Sequence, residues 1–227
     1  MAPSPVGRII CAGLGPGDPD LMSVKARRVV EGATTVAYFR KAGRQGQARR
    51  IVDGLLPAGT VELAMEYPVT TELAFDSPDY NLALARFYDD WAGRVRDLAA
   101  TREVVVLCEG DPFFYGSFMH LYSRLRETVQ MDVIPGITGM SGCWTATGEP
   151  ITWGDDVLSV LMGTLPEDDL VAQMQRADAL VVMKTGRNLP KIRRALDWPM
   201  RQAFQVGIPS CPSVSYTHLR AHETRED

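Results

Sequence analysis

The run EVVVLCEGDPFFYG at residues 103–116 is the strongest indication of the fold of this chain. Its first part, residues 103–108, is an apolar and β-branched run with the length of a strand, and such runs are typical of parallel sheets covered on both faces. The run ends abruptly in a turn that contains Gly110 and Asp111. Because ligands of open α/β sheets bind outside the carboxyl ends of the strands, this stretch predicts a buried strand that leads into a binding loop.

The rest of the chain repeats this arrangement, since short β-branched runs alternate with amphipathic stretches. Strands are predicted at residues 8–12, 34–38, 61–65, 103–108, 131–134, 157–162 and 179–183. Helices are predicted at residues 19–31, 79–100, 167–176 and 189–196, and from residues 117 and 139 onward. A polar, basic stretch at residues 40–50 and a loop at residues 70–79 lie between them. Alternation of this kind is typical of an α/β fold with a mainly parallel or mixed sheet.

Two domains are predicted, because the stretch EPITWG at residues 149–154 breaks the alternation. The first α/β domain spans residues 1–150 and the second spans residues 155–198. Residues 199–227 differ from both, since three prolines interrupt any helical period and residues 215–227 resemble translated cloning sequence. We expect a non-native tail in that stretch and hence a second domain that is incomplete.

Composition excludes several classes of protein. The 227 residues carry 24 basic and 28 acidic side chains, a net charge of −4, which gives no basic footprint for nucleic acid. No apolar run approaches the roughly 20 residues of a membrane span, and the first residues lack the pattern of a secretory signal. The four cysteines are far apart and form no C-x-x-C pair. We therefore expect a cytoplasmic protein with reduced cysteines, no bound metal and no membrane partner.

The glycine-rich turn after the first predicted strand argues against a dinucleotide site. Its glycines follow the spacing G-x-G-x-G rather than G-x-G-x-x-G. Pro16 removes a backbone N–H that a phosphate would need. Asp18 and Asp20 place negative charge at the start of the next helix, where a phosphate would otherwise bind. A cationic ligand suits this turn better, and a tight turn with a helix cap is the alternative.

Two further turns follow predicted strands in the same way. Asp111 precedes a proline, which favours extended backbone at that position and directs its carboxylate toward a cleft. The alternative is an aspartate that caps an ordinary turn. In the third turn, at residues 134–139, Thr138 can cap the following helix or bind a ligand.

The three turns together resemble those of the tetrapyrrole (corrin/porphyrin) methylases. They read GLGPGDPDL at residues 13–21, GDPFFYG at residues 110–116 and IPGITG at residues 134–139. Within that family, YFRK at residues 38–41 and VVMKTGRN at residues 181–188 resemble the branch that methylates C20 of precorrin-2 in cobalamin biosynthesis. The resemblance covers about residues 7–197.

This resemblance implies an enzyme of two α/β domains that binds S-adenosylmethionine in a cleft between them, and it also implies a homodimer. The methyl donor carries a positive sulfonium and a positive amino group but no phosphate, so carboxylates and backbone carbonyls suit it. The cofactor-binding residues implied at matching positions are Pro16, Glu109, Gly110, Asp111, Thr138, Gly139 and Met183.

Methyl transfer from a sulfonium needs mainly alignment and the exclusion of water, because the leaving group is already activated. The candidates for orienting the macrocycle or moving a proton are Asp111, Tyr115 and Lys184. The alternatives are that Tyr115 is a packed aromatic residue and that Lys184 is a solvated surface lysine.

The implied substrate is a precorrin, whose eight acetate and propionate carboxylates call for a locally basic site. Basic clusters lie at residues 40–50 and 184–194, and arginine forks match carboxylates well. Arg40, Lys41 and Arg187 are therefore candidate substrate-binding residues, with a solvated surface as the alternative for each cluster.

Three other functions stay open at this point. The first is a related methylase that acts on another carbon or on the cobalt-bearing factor II. The second is an enzyme like diphthine synthase, which methylates a modified histidine on a protein and would need a more open cleft. The third is an α/β binding protein without turnover.

Overall fold

The computed structural model of the chain describes residues 7–68, 77–148 and 150–196, together with the backbone of residues 202–207 and 215–220. The chain forms two compact units, one that ends at Thr138 and one that begins at Gly139. The domain bounds at residues 1–150 and 155–198 stay predictions. The helix that follows the division belongs to the second unit, because its Cys143 is buried against Val181 of that unit.

The first unit contains a five-stranded parallel sheet. Its strands are β1 (Ile9–Gly13), β2 (Thr35–Lys41), β3 (Val61–Tyr67), β4 (Val104–Cys108) and β5 (Met131–Ile134). Their order across the sheet is β3-β2-β4-β1-β5, and every neighbouring pair is parallel. All residues of β1 and β4 are buried, as expected of central strands covered on both faces. The predicted α/β fold with a mainly parallel sheet is confirmed.

Helices cover both faces of this sheet. They are α1 (Val24–Glu31), α2 (Gln47–Ile51), α3 (Pro78–Ala99) and α4 (Phe118–Leu125). Phe87 and Val95 of α3 and Leu121 of α4 are buried in the core on one face. Val30 of α1 and Ile51 of α2 are buried in the core on the other.

Two elements differ from the sequence-based expectation. The helix predicted at residues 19–31 consists of a 3-10 turn (Pro19–Leu21) followed by α1, because Asp18 caps the turn and Ser23 separately caps α1. The short helix α2 lies in the stretch predicted only as polar and basic. A helix of 5 residues is too short to produce a recognisable apolar period. The loop predicted at residues 70–79 lies largely outside the described residues.

The second unit begins with α5 (Gly139–Thr147) and continues with alternating strands and helices. These are β6 (Leu158–Met162), α6 (Glu167–Met174), β7 (Ala179–Met183), α7 (Leu189–Leu196), β8 (Gln202–Gly207) and β9 (Ser215–Arg220). The sheet order is β6-β7-β9-β8, with β6 and β7 parallel and β9 antiparallel to both of its neighbours. Strands β8 and β9 fall within the stretch expected to be a non-native tail, and the origin of that stretch stays a prediction.

The core of the second unit is built from α6, β7 and α7. Leu170, Leu180 and Ile192, one from each element, are fully buried. No helix in the described part of the chain is both long and apolar enough to cross a membrane.

Candidate functional site

Three loops meet at the carboxyl edge of the first sheet, because β4, β1 and β5 are parallel neighbours. We call them loop 1 (residues 14–18, after β1), loop 2 (residues 109–117, after β4) and loop 3 (residues 135–138, after β5). Gly13 is in register with Cys108, and Ala12 is in register with Ile134. The three loops therefore begin at nearly the same level of the sheet, at the edge where open α/β sheets bind ligands.

Backbone hydrogen bonds join loops 1 and 2. The N–H of Leu14 donates to the carbonyl of Cys108 at 2.8 Å, and the N–H of Gly110 donates to the carbonyl of Gly15 at 2.8 Å. Gly15 and Gly110 have φ values of +81° and +68°, a region that side chains rarely adopt. The pairing of the two loops thus requires glycine at both positions, independently of any ligand.

Loop 3 packs through Gly136 directly on the backbone of loop 2 and of the last residue of β1. A Cβ atom built on Gly136 would lie 2.1 Å from the carbonyl oxygen of Gly110 and 2.9 Å from the carbonyl carbon of Gly13. A Cβ atom on Gly13 would lie 2.6 Å from the nitrogen of Gly136. Gly136 belongs to the quoted third motif but was not among the candidate site residues, and its function here is close contact between backbones.

The carboxylate of Asp111 fastens loop 2 to loop 3. Its Oδ2 accepts the N–H of Gly136 at 3.0 Å, and its Oδ1 accepts the N–H of Phe113 at 2.9 Å. The second bond is the local cap that the sequence allowed as an alternative, whereas the first joins residues 25 positions apart. This geometry gives Asp111 a positioning role, and its contact with a cofactor or a proton stays a prediction.

The far end of loop 2 is held by β3. The hydroxyls of Ser117 and of Tyr67, the last residue of β3, share a hydrogen bond. The Tyr67 ring stacks on Phe39 with centroids 5.7 Å apart, and burial raises the pKa of its hydroxyl above the ordinary tyrosine value. Loop 2 is thus anchored at its start by loop 1, in its middle by loop 3 and at its end by β3.

The loop junction brings together the predicted cofactor residues of the first unit. Pro16 and Gly110 are buried, while Glu109, Asp111 and Thr138 are partly exposed. The three loops carry the carboxylates of Asp18, Glu109 and Asp111 but no lysine, arginine or histidine. The junction is therefore suited to a cation rather than to a phosphate.

Two of the predicted catalytic residues have an unusual backbone conformation. Tyr115 and Lys184 both have a φ of +54°. No other non-glycine residue in the described part of the chain has a positive φ. Such conformations collect at functional sites because the surrounding structure must impose them. Tyr115 is 47% exposed and its ring contacts that of Phe114, with centroids 4.9 Å apart, so both of its interpretations stay open. Lys184 is also exposed, which fits both of its interpretations.

In the second unit, the predicted residues cluster at the carboxyl end of β7, except for Gly139, which begins α5. Met183 ends β7 and is followed by Lys184 and by a 3-10 turn that contains the exposed Arg187. Gly163, next to the end of β6, donates its N–H to the carbonyl of Met183 at 2.7 Å. Sequence reasoning missed Gly163, although a glycine directly after a predicted strand was the available signal.

The candidate substrate residues of the first unit end β2. Arg40 donates from Nη2 to Oε1 of Glu66, its register partner on β3, and Lys41 is exposed. Carboxylates also neutralise other members of both basic clusters. Arg49 pairs with Glu62, and Arg194 pairs with Glu167 at 2.6 Å. The net positive charge of the two basic clusters is therefore smaller than their number of basic residues suggests.

The Glu62 and Arg49 pair predicts an acid-dependent loss of stability. Its hydrogen bonds of 2.7 and 3.0 Å hold the pKa of Glu62 below the ordinary glutamate value of 4.5. A carboxyl with a lowered folded-state pKa stabilises the fold above its unfolded pKa and loses this contribution as the pH falls through the folded value. We expect Glu62→Gln to lower the free energy of unfolding at pH 7 by about 0.5 to 1 kcal/mol, the range for a partly exposed pair.

Urea unfolding of both proteins between pH 7 and pH 3 measures this effect. The two stabilities are expected to converge as the pH falls below the ordinary glutamate pKa. A difference that stays constant across this range would contradict the assignment.

Among the described residues, no three histidine, cysteine, aspartate or glutamate side chains are grouped so that they could hold a metal ion. The buried thiols of Cys11 on β1 and Cys108 on β4 lie 3.4 Å apart. Burial raises the pKa of Cys11 well above the ordinary cysteine value, so this thiol is neutral and a poor nucleophile.

Comparison with known proteins adds three similarities. A precorrin-2 C(20)-methyltransferase from a Sinorhizobium species is 54% identical over 192 residues, which cover 84% of this chain and 78% of that protein. A cobalt-precorrin-2 C(20)-methyltransferase from Salmonella typhimurium is 25% identical over 208 residues, or 90% of this chain and 81% of that protein. The uroporphyrin-III C-methyl transferase of Thermus thermophilus, solved in complex with S-adenyl homocysteine, has the same fold. Its TM-score is 0.61 at 20% identity, with 94% of this chain and 92% of that one covered.

The family comparison agrees with the geometry of the loops. The sequence model described as Tetrapyrrole (Corrin/Porphyrin) Methylases matches residues 8–203, a range that includes loops 1, 2 and 3 and all predicted site residues. The chain therefore belongs to the tetrapyrrole (corrin/porphyrin) methylases.

Proposed function

We propose that this chain transfers a methyl group from S-adenosylmethionine to the C20 meso carbon of precorrin-2, a reaction of cobalamin biosynthesis. The observation that carries the proposal is the three-loop junction at the carboxyl edge of the first sheet. It occurs in a chain 54% identical to a precorrin-2 C(20)-methyltransferase.

The chemistry of the loop junction fits this methyl donor. The carboxylates of Asp18, Glu109 and Asp111 are not accompanied by any basic side chain in the loops, which favours a sulfonium and an amino group over a phosphate. The residues proposed to hold the donor are Pro16, Glu109, Gly110, Asp111 and Thr138 of the first unit and Gly139 and Met183 of the second. When bound, the donor supplies an activated methyl group with a thioether as its leaving group.

The remaining tasks fall to side chains of this protein. Asp111 keeps loops 2 and 3 in a fixed relation through its bonds to Gly136 and Phe113, so that the reacting groups are aligned. Methylation of a meso carbon releases the proton that this carbon carried. The exposed Tyr115 and Lys184 are proposed to orient the macrocycle or to take up that proton, and Arg40, Lys41 and Arg187 to bind its carboxylates.

Three finer points complete the proposal. The substrate is the metal-free precorrin, which is supported by 54% identity to the precorrin-2 enzyme against 25% to the cobalt-precorrin-2 enzyme. The site of action is the cytoplasm, which is supported by Cys11 and Cys108, whose thiols lie 3.4 Å apart without forming a disulfide. The active species is a homodimer, an expectation that rests on the family and that sedimentation velocity tests.

The test is to incubate the purified protein with precorrin-2 and S-adenosylmethionine labelled with ¹³C in its methyl group, and to locate the new methyl by NMR. One labelled methyl at C20 is expected, with slower transfer to the cobalt-bearing substrate in a parallel reaction. A methyl at another carbon would contradict the C20 assignment and leave the family unchanged. Absence of transfer to any tetrapyrrole would contradict the proposal, and the diphthine synthase-like alternative would then be tested with a protein substrate.

A further inference from the structure

The guanidinium of Arg40 is only partly used by the protein. Its Nη2 donates to Glu66, whereas its Nε is buried from solvent and has no acceptor within hydrogen-bond distance. Among the residues whose side chains are described, no other buried side-chain nitrogen or oxygen lacks a hydrogen-bond partner. A buried donor without an acceptor destabilises the folded protein, so folding alone does not account for this arrangement.

The ion pair between Arg49 and Glu62 of β3 provides a comparison for Arg40 and Glu66. Nε and Nη2 of Arg49 donate to the two carboxylate oxygens of Glu62 at 2.7 and 3.0 Å, which completes the two-bond fork. Arg40 carries the same pair of donors but uses only Nη2 toward Glu66. A carboxylate placed to receive both donors would complete the fork that Glu66 leaves incomplete.

Arg40 also lies beside the loop junction. Tyr38 of β2 is in register with Leu107 of β4, so Arg40, two residues later, is level with the start of loop 2. The base of its side chain is confined, because a Cβ atom built on Gly46 would lie 3.2 Å from the Arg40 Cβ. Its side chain is nevertheless 31% exposed and that of Glu66 is 44% exposed. The Arg40 side chain is thus partly accessible from solvent at the carboxyl edge of the sheet, while its Nε is covered as long as Glu66 is bound.

We infer that Arg40 binds one acetate or propionate carboxylate of the tetrapyrrole, and that Glu66 occupies the guanidinium until this carboxylate displaces it. The inference rests on the proposed function for the identity of the ligand. In the free protein, Glu66 neutralises Arg40. On binding, Glu66 returns to water and the substrate carboxylate takes both Nη2 and Nε. Glu66 therefore lowers the affinity of the site, because a ligand must displace it from Arg40. A ligand that carries a negative charge can do so, which makes the site selective for such ligands.

The test measures equilibrium binding of an octacarboxylate porphyrin by quenching of its fluorescence, beside binding of S-adenosylmethionine by calorimetry. Glu66→Gln removes the competing carboxylate and is expected to lower the Kd of the porphyrin about fivefold. Arg40→Gln is expected to raise that Kd about tenfold, and Arg40→Lys, which keeps the charge but lacks the fork, about fivefold. The Kd of S-adenosylmethionine is expected to stay within twofold in all three variants, a difference of about 0.4 kcal/mol.

Glu62→Gln is the matched control, since it breaks the pair between Glu62 of β3 and Arg49 of α2, whose two-bond fork is already complete. It is expected to leave porphyrin binding unchanged. In the double variant Glu66→Gln with Arg40→Gln, the gain from Glu66→Gln should disappear, because the carboxylate then has no guanidinium to release.

Porphyrin binding that is unchanged or weakened by Glu66→Gln would overturn the inference, as would equal effects of Glu66→Gln and Glu62→Gln. A persistent gain in the double variant would also overturn it, because the effect would then be general charge repulsion. These readouts need no turnover. Failure to methylate precorrin-2 would contradict the proposed function alone, while the binding measurements would still decide the role of Arg40.

Discussion

Replacing Gly136 by alanine is expected to lower methyl transfer by more than about 100-fold. The Cβ atom of the alanine would lie 2.1 Å from the carbonyl oxygen of Gly110, which no relaxation of side chains can relieve because the contacting atoms are backbone. Loop 3 must then move away from loop 2 and the end of β1, and the Asp111 bond to the N–H of residue 136 is lost with it. A displacement of about 1 Å at a reacting centre is enough for an effect of this size.

The same substitution is expected to lower the free energy of unfolding by about 3 kcal/mol, a value typical of severe backbone conflicts. Urea unfolding measures the stability, and calorimetry with S-adenosylmethionine measures the affinity of the folded variant. Gly93→Ala on α3 is the matched control, since nothing lies within 4 Å of a Cβ atom at that position. It is expected to be neutral or to stabilise the protein by up to about 1 kcal/mol through higher helix propensity. Equal behaviour of the two alanine variants would refute the proposed backbone junction.

Removal of the Asp111 carboxylate is the second substitution with a large expected effect. Asp111→Ala deletes the acceptors of two backbone N–H groups, those of Gly136 and Phe113. Hydrogen bonds to a charged group contribute about 1.5 to 3 kcal/mol each, and partial exposure of the carboxylate places the expected loss at about 2 kcal/mol in total. Methyl transfer is expected to fall about 100-fold, because loops 2 and 3 lose the contact that fixes their relation.

Asp111→Asn separates the positioning role from a role in proton transfer. The side-chain oxygen of asparagine can still accept one of the two N–H groups, while its NH₂ group opposes the other. We expect intermediate stability and intermediate affinity for S-adenosylmethionine, with kcat falling in parallel with that affinity. Full affinity together with a kcat as low as that of the alanine variant would instead assign Asp111 to the chemical step.

The control for Asp111 is an aspartate with a purely local bond. Oδ2 of Asp156 accepts the N–H of Trp153 at 2.7 Å, within a single turn of the second unit. Asp156→Ala is expected to cost less than about 1 kcal/mol and to change methyl transfer less than about twofold. If Asp111→Ala has no larger effect than Asp156→Ala, the bond between loops 2 and 3 does not position the site.

Several features of the site were predictable because their signals are local. The glycines at residues 13, 15 and 17 and the prolines at residues 16 and 112 can be read directly, since each restricts its own backbone or that of its neighbour. Other features could not be predicted, because they leave no local signal in the sequence. The short helix α2 offers too few apolar residues to produce a period. The unit boundary at Thr138 depends on the contact of Cys143 with Val181, and those residues are far apart in sequence.

The α/β class, the buried strand of the first sheet and the three glycine-containing turns can be read from the residues alone, because burial and turn formation leave periodic or single-residue signals. That β4, β1 and β5 are neighbours, so that these turns form one junction, is seen in the folded chain. The folded chain also shows that Gly136 serves backbone contact, that Asp111 bonds across 25 residues and that Glu66 faces Arg40. The physical reason is that hydrophobic periodicity specifies which face of an element is buried, whereas strand order and cross-strand partners are set by how the whole chain packs.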